Sequence, residues 1–455
     1  MPSANISCFS TGLKSLNDDT MLKNIIGTVG SRYFVALLGF LVIIINSKAL
    51  GREGMGIVGL IYTSANFAVI FNGILCGNTI VYFVNRYNLR MIFYTAYIFA
   101  LIGSVVITAI LAVLGMIPDG YAVWVFTLAA LMSLFNANTM ILLGKDKVMG
   151  FNLSFIIQGV TSFVLLLILY FIAGMKSVEG YLTGLLTAYL AACVYSFVLS
   201  ARYLAKSQNV VAKSYFSVIR EMFVYGLWGS VDNLAEGLAS RLNYYIIRFA
   251  GGYANVGLLD AGTKISESVG HISNSISYLE YNSVSKTTDI AEQKIVTIRL
   301  FKLSYCALAA VMAVIVCIPE WLITEYLLTE EFAGIQKVIH GLSFGIVAYG
   351  SNRILSHYFI GSGNIRYSAC CSCIGLLVLL AAGFFIIPVY GVFGAALTSS
   401  IAFVCMLIFS LSVFMRQTKT GFKELIPSKG DYKLLREKIH LLKCKSAKSR
   451  KQSQS

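Results

Sequence analysis

The sequence predicts an all-α polytopic membrane protein: twelve transmembrane helices in two six-helix lobes related by a pseudo-two-fold axis along the membrane normal. Three observations predict it. Apolar segments, each long enough to cross a bilayer, fill nearly the whole chain from Leu22 to Met415. A hydrocarbon core about 30 Å thick needs roughly 20 residues per helical crossing. Basic residues gather in alternate loops, and short motifs recur in order about half a chain apart.

The clearest spans are 33–46, 91–116, 121–143, 150–174, 181–204, 303–319, 367–388 and 391–415. Mean hydropathy is +0.75, and 57% of the 455 residues are hydrophobic, above the level of soluble domains. Twelve helices with short loops leave no room for a soluble catalytic domain. The expected functions are therefore moving or sensing a solute or lipid within the membrane.

The net charge of +15 is a topology signal. A third of the 36 Lys and Arg residues lie in the last forty positions. Others sit on one side in alternation: Lys14 and Lys23, Arg86 and Arg90, Lys145 and Lys147, Arg202 to Arg220, Lys286 to Lys302, and Arg366. The opposite loops carry only Lys48, Arg52, Lys176 and Lys337. Basic loops stay in the cytoplasm, so both termini are expected there. No folded basic domain is left to bind nucleic acid. The first twenty residues are polar and contain Asp18 and Asp19, unlike a secretory leader.

In chain order, residues 1–21 form a cytoplasmic segment and 22–205 the first lobe. Residues 206–221 are a polar, basic linker with Val210, Val211, Tyr215 and Val218 at near-helical spacing, expected to lie on the cytoplasmic surface. Residues 222–415 form the second lobe. In the basic tail, 416–455, Leu434, Leu435, Ile439 and Leu442 make an apolar stripe suited to anionic lipid. The lobes repeat one another. Leu50–Ile57 reads LGREGMGI and Gly251–Leu258 reads GGYANVGL, both with two glycines five apart. Val178–Thr187 (VEGYLTGLLT) matches Val389–Thr398 (VYGVFGAALT), and Leu143-Gly144 parallels Ile360-Gly361. Six helices per repeat is an even number, so both halves enter the membrane in the same direction.

Charge is distributed unequally between the lobes. Arg32 is the one charged residue well inside a span of the first half. The seventh and eighth helices carry Asp232, Glu236, Arg241, Arg248, Asp260, Lys264, Glu267, His271 and Glu280. Ionisable groups at bilayer depth face a wet cavity or a partner. Asp260, Lys264, Glu267, His271, Asn274 and Tyr278 fall on one helical face. A short hairpin places Arg241 near the depth of Lys264 and Asp260, Glu236 near Glu267, and Asp232 near His271. Two carboxylates at one depth would raise a pKa, which makes Glu236 and Glu267 the leading proton-coupling candidates, with Asp232, Asp260 and His271 behind them. The opposing expectation is a structural ladder of i,i+4 pairs, Asp260–Lys264 and Glu267–His271. The tenth helix adds Asn352, Arg353 and His357; the first lobe offers neutral groups such as Asn66. No P-loop or metal-binding spacing occurs, so no enzyme activity and no bound cofactor are expected; a proton or sodium ion is the expected driver.

Asn24–Phe83, with NIIGTVGSRYFVALLGFLVIIINSKALGREGMGIVGLI followed by GNTIVYF, resembles the polysaccharide transporter family of the MOP superfamily, the Wzx-type O-antigen and capsule flippases. The LG-x4-G hairpin and the VxG-x6-LT signature in both lobes carry the resemblance further. It implies a V-shaped pair of lobes around a central cavity. It also implies transfer of undecaprenyl-diphosphate-linked oligosaccharide across the bacterial inner membrane, beside polysaccharide polymerase and chain-length proteins. By position and charge, Arg32, Arg241, Lys264 and Arg353 would meet the diphosphate or acidic sugars, with Asn66 as a neutral contact. MATE-type exporters share the twelve-helix plan, but their cavities favour acidic residues, often one in the first helix, where Arg32 stands here. Lipid II flippases generally have fourteen helices. A non-transporting scaffold of envelope synthesis is the alternative from another class.

Overall fold

The computed structural model describes residues 19–205, 215–284 and 289–425, with the side chains of residues 19–29 and of Arg32, Ala205, Trp228, His271, Ser275, Tyr278, Leu279 and Asn282 outside that description. The described residues are almost entirely helical. The bilayer imposes this, because backbone groups in hydrocarbon must be satisfied within the segment.

Helix α1, Asp19–Cys76, holds the first crossing and most of the second, bent at Gly51; α2, Asn78–Phe83, finishes the second. Then come α3, Leu89–Val113, α4, Ala122–Gly144, α5, Val148–Leu167, continued by a π-helical turn to Ile172, and α6, Val178–Ala205. The second lobe begins with α7, Tyr215–Glu267, which bends at Gly252. The eighth crossing ends in α8, Gly270–Val284. Next are α9, Ile290–Cys317, and α10, Ile335–Gly361. Helix α11, Ile365–Thr418, holds the last two crossings, bent at Gly391.

Seven helical stretches are apolar and long enough to span a bilayer. Two of these, Tyr33–Phe83 and Ile365–Thr418, fold back at a glycine and supply two crossings each. The remaining crossings, the seventh, eighth and tenth, are less apolar because they carry the charged residues. The fold is thus twelve crossings in two lobes.

The repeat is written into the backbone. Gly51 has φ 65°, ψ −172° and Gly252 has φ 75°, ψ −178°, the same conformation, and one open essentially to glycine alone. The VxG match ends differently in the two lobes. Gly391 bends α11 with φ 56°, whereas Gly180 is helical and the positive φ lies at Gly174. The first lobe makes this turn with a loop, the second with a kink.

The end of the bundle bearing Gly51 and Gly252 is called the outer end, following the sidedness that the basic residues predict. There the second crossing meets α7 so closely that a Cβ on Gly56 would lie 1.9 Å from the Tyr253 carbonyl oxygen. A Cβ on Gly257 would lie 1.9 Å from that of Arg52. Arg52 locks the contact: Nε donates to the Ala254 carbonyl at 2.7 Å, Nη2 to Asn255 Oδ1 at 2.6 Å, and its backbone N–H to Glu331 Oε2 at 2.9 Å. At the inner end Gly226 packs on the Ile74 carbonyl, Tyr82 stacks on Tyr225 with centroids 4.3 Å apart, and the Tyr87 hydroxyl donates to Glu221 at 2.5 Å. A shared apolar core, including Met55, Leu60 and Phe67 with Tyr245, Val256 and Leu259, joins the lobes between these ends. Of the predicted linker, Tyr215–Glu221 forms the first turns of α7; its remainder and the apolar stripe of the tail lie outside the described residues.

Candidate functional site

A cavity of about 590 Å³ lies between the lobes. One wall comes from the first, second, fifth and sixth crossings and is apolar or neutral: Val35, Phe40, Val58, Gln158, Tyr181 and Tyr189 are among its residues. The other comes from the seventh, eighth and tenth crossings and carries Arg241, Lys264, Glu267, Asn274, Tyr349 and Arg353. The two walls differ as the two lobes differ in sequence.

Every cation of the charged wall has a carboxylate partner. Arg241 Nη2 meets Glu267 Oε2 at 2.5 Å, Lys264 Nζ meets Asp260 Oδ2 at 2.7 Å, and Arg353 Nη2 meets Glu236 Oε1 at 3.2 Å. Tyr349 donates to Glu236 Oε1 at 2.5 Å, and Arg353 also donates to Asn274. Arg241 Nη1 donates to the Tyr244 hydroxyl at 2.8 Å, and Tyr244 in turn to Asp260 at 3.3 Å. The result is a chain of alternating charge. Side chains of Arg241, Glu267, Glu236 and Arg353 are a quarter to a third exposed, so the pairs are wetted, and their strength is that of partly screened ions.

This revises the pairing expected from helix depth. Glu236 and Glu267 do not form an isolated like-charge pair; each is held by an arginine. Of the expected structural ladder, the Glu267–His271 rung involves a side chain outside the described residues. Asp260–Lys264 forms as the i,i+4 spacing predicts, but Glu267 reaches across to Arg241.

The remaining candidates fall elsewhere. Asp232 is buried inside the second lobe, accepting from Ser368 at 2.8 Å and Ser372 at 2.7 Å, and is separate from the cavity lining. Asn66 is half-buried and is not part of the cavity wall. The backbone of Arg32 lies on α1, three residues before the lining residue Val35. Tyr349 is an addition to the expected set, although its position four residues before Arg353 puts it on the same face. The lining tyrosines of the first lobe are additions too, because in sequence each resembles any amphipathic membrane residue.

The eighth crossing is interrupted beside the charged wall. Helix α7 stops at Glu267, Ser268 and Val269 form a turn, and α8 restarts at Gly270. Non-helical backbone at membrane depth is tolerated where it lines a water-filled cavity. Ser268 and Gly270 do line it.

Residues 21–278 match the family described as "Polysaccharide biosynthesis protein". No curated protein matches the chain. Among solved structures, the lipid II flippase MurJ in an inward closed conformation is similar with a TM-score of 0.68 at 12% identity, covering 87% of this chain and 88% of that one. An inward-facing multidrug resistance MATE family transporter of the MOP superfamily gives 0.66 at 16%, covering 85% and 94%. The MATE multidrug transporter DinF-BH gives 0.65 at 18%, covering 88% and 96%. At these identities the likeness shows a common fold.

Proposed function

We propose, from the premise that the chain belongs to the polysaccharide biosynthesis protein family, that it flips undecaprenyl-diphosphate-linked oligosaccharide across the bacterial inner membrane for O-antigen, capsule or exopolysaccharide assembly. The observation that carries the reading is the two-faced cavity. A lipid-linked glycan is apolar at one end, anionic at the diphosphate and hydroxyl-rich beyond. A cavity with one apolar and aromatic wall and one wall of arginine, lysine and amide groups suits the head of such a molecule. At about 590 Å³ it is of a size to take a diphosphate and a few sugars, within the usual range of about 300–1,000 Å³ for ligand sites. The polyprenyl chain would remain in the bilayer.

Because the cations are already paired, substrate binding is an exchange. A diphosphate can bind a guanidinium in bidentate fashion and take the place of Glu267 on Arg241, or of Glu236 on Arg353. The released carboxylate then faces an anion, and a proton is what relieves that repulsion. Substrate loading and proton uptake are thereby tied at one pair of residues. Both termini are assigned to the cytoplasm, where the basic tail would meet anionic lipid. Polymerase and chain-length proteins would act on the product from the opposite face.

The test is a proteoliposome assay with a polyprenyl-diphosphate oligosaccharide in one leaflet. Transfer that depends on the diphosphate and is lost on Arg241→Ala supports the reading. Export of a cationic dye, with no lipid-linked glycan transfer, would place the protein with multidrug exporters instead.

A further inference from the structure

Away from the cavity, the second lobe buries one carboxylate that the exchange above does not use. Glu280 lies on α8, one helical turn, about 5.4 Å, from that helix's end at Val284. It is 0% exposed. Neither of its oxygens has a hydrogen-bond partner among the described residues. One turn to either side, Ile276 and Val284 pack into an apolar cluster with Ile298, Phe301, Ile354 and Tyr358. Glu280 therefore points into the seam between α8, α9 and α10.

Two neighbouring hydroxyls are committed elsewhere. The Thr297 hydroxyl beside Glu280 donates to the Gln293 carbonyl at 2.9 Å. Ser277 donates to the Ser273 carbonyl at 2.7 Å. The charged groups of the packed helices are also engaged. On α9, Lys294 pairs with Glu424 at 2.9 Å, and Arg299 and Lys302 have partners of their own. On α10, Arg353 is held by Glu236, His357 turns its ring toward Tyr281 at 6.4 Å, and Tyr358 lines the seam. On α7, Lys264 is held by Asp260. An ionised carboxylate here would be desolvated with no counter-charge and no hydrogen bond among the described residues. A neutral acid needs neither, and can donate its own proton to an oxygen such as that of Thr297.

The helix that carries Glu280 is also the one with a joint. Helix α8 is separated from α7 by the Ser268–Val269 turn, and its first residue, Gly270, has no heavy atom within 4 Å of where a Cβ would stand. Helix α8 packs on α9 and α10, the same two helices that enclose Glu280.

We propose that Glu280 is a proton-binding site inside the second lobe: it holds a proton in this outer-closed conformation and releases it to the inner aqueous phase when α8 pivots at Ser268–Val269 away from α9 and α10. The joint supplies the motion, and the single turn beyond Glu280 supplies a short route to water. The site is independent of the substrate's identity.

The experiment uses the full chain in nanodiscs, in sodium-free buffer and without substrate. Infrared spectroscopy should show the carbonyl band of a neutral buried carboxylic acid in the wild type, missing in Glu280→Gln. Spin labels at Leu37 on α1 and Tyr281 on α8 should report a distance that changes with pH in the wild type. In Glu280→Gln, and in Glu280→Met as a packing control, that distance should stay at its low-pH value throughout. A wild type lacking the band would overturn the proposal. So would folded Glu280→Gln or Glu280→Met protein keeping the wild-type pH response, or a distance that follows sodium at fixed pH.

Discussion

Gly56 and Gly257 occupy matching places in the two lobes, and each meets the backbone that leads into the other. A Cβ on Gly56 would fall on the Tyr253 carbonyl, and one on Gly257 on the Arg52 carbonyl, each at 1.9 Å. The sequence repeat thus becomes a reciprocal contact across the pseudo-two-fold axis, and it closes the outer end of the cavity. A transporter that alternates must break this contact once per cycle.

Substituting Gly56→Ala or Gly257→Ala should therefore favour the outer-open form. Single cysteines near the outer turn, for instance at Val58, should become reactive to a membrane-impermeant maleimide several-fold faster than in the parent. Transport should fall at least tenfold while protein abundance is kept. Unchanged labelling in both variants would show that the outer end is held by other contacts.

Arg52 should act on the same equilibrium without steric force. It links the first lobe to the Ala254 carbonyl, to Asn255 and to Glu331. Net of solvent, a hydrogen bond to a charged group contributes about 1.5–3 kcal/mol where it is buried and less where it is exposed, as the contact with Glu331 is. Arg52→Ala should open the outer end less than Gly56→Ala does. Arg52→Lys should be intermediate, since an ammonium cannot hold the fork-shaped pair of contacts. Distance measurements between labels at Lys48 and Tyr326, whose backbone carbonyl accepts from Lys48 at 3.2 Å, would rank the three.

Within the cavity, the Arg241–Glu267 pair should be exchangeable only in part. Arg241→Ala should abolish flipping, and Arg241→Lys should leave it reduced, about tenfold or more. The swap Arg241→Glu with Glu267→Arg should restore folded protein but not full transport, because the cation then stands on the eighth crossing, next to the Ser268–Val269 joint, instead of on the seventh. Full activity in the swap would mean that this pair is structural.

Energy coupling can be separated from binding at Glu267. Glu267→Gln keeps the shape of the side chain and removes its charge. If the carboxylate takes up a proton when substrate displaces it, the variant should bind lipid-linked glycan but lose the stimulation of transport by a proton gradient. Gradient dependence equal to wild type in well-folded Glu267→Gln protein would exclude a coupling role for this residue.

Sidedness has a direct measurement. Reporter fusions at Lys145 and at Asp119 should give opposite results, Lys145 cytoplasmic and Asp119 outside. The same side for both would overturn the expected topology.

The number of crossings, their grouping into two similar lobes and the concentration of charge in the seventh, eighth and tenth crossings were determined by the sequence alone. Each is a property of one helix at a time: length against bilayer thickness, and residue type along a 3.6-residue period. The matching glycines of LGREGMGI and GGYANVGL mark the outer turns by residue type alone. What they touch was decided by tertiary structure. Neither Gly56 nor Gly257 carries a side chain from which a partner could be read. Partner choice among the ions was likewise tertiary. Arg353 reaches Glu236 from a position 117 residues away, and Glu267 pairs with Arg241 on the facing crossing while Lys264 on its own crossing pairs with Asp260. Such pairings depend on the rotation and separation of helices that are not neighbours in the chain. The isolation of Glu280 has the same origin. Its spacing sets it apart in no way, and only the packing of three helices leaves its oxygens without a hydrogen bond among the described residues.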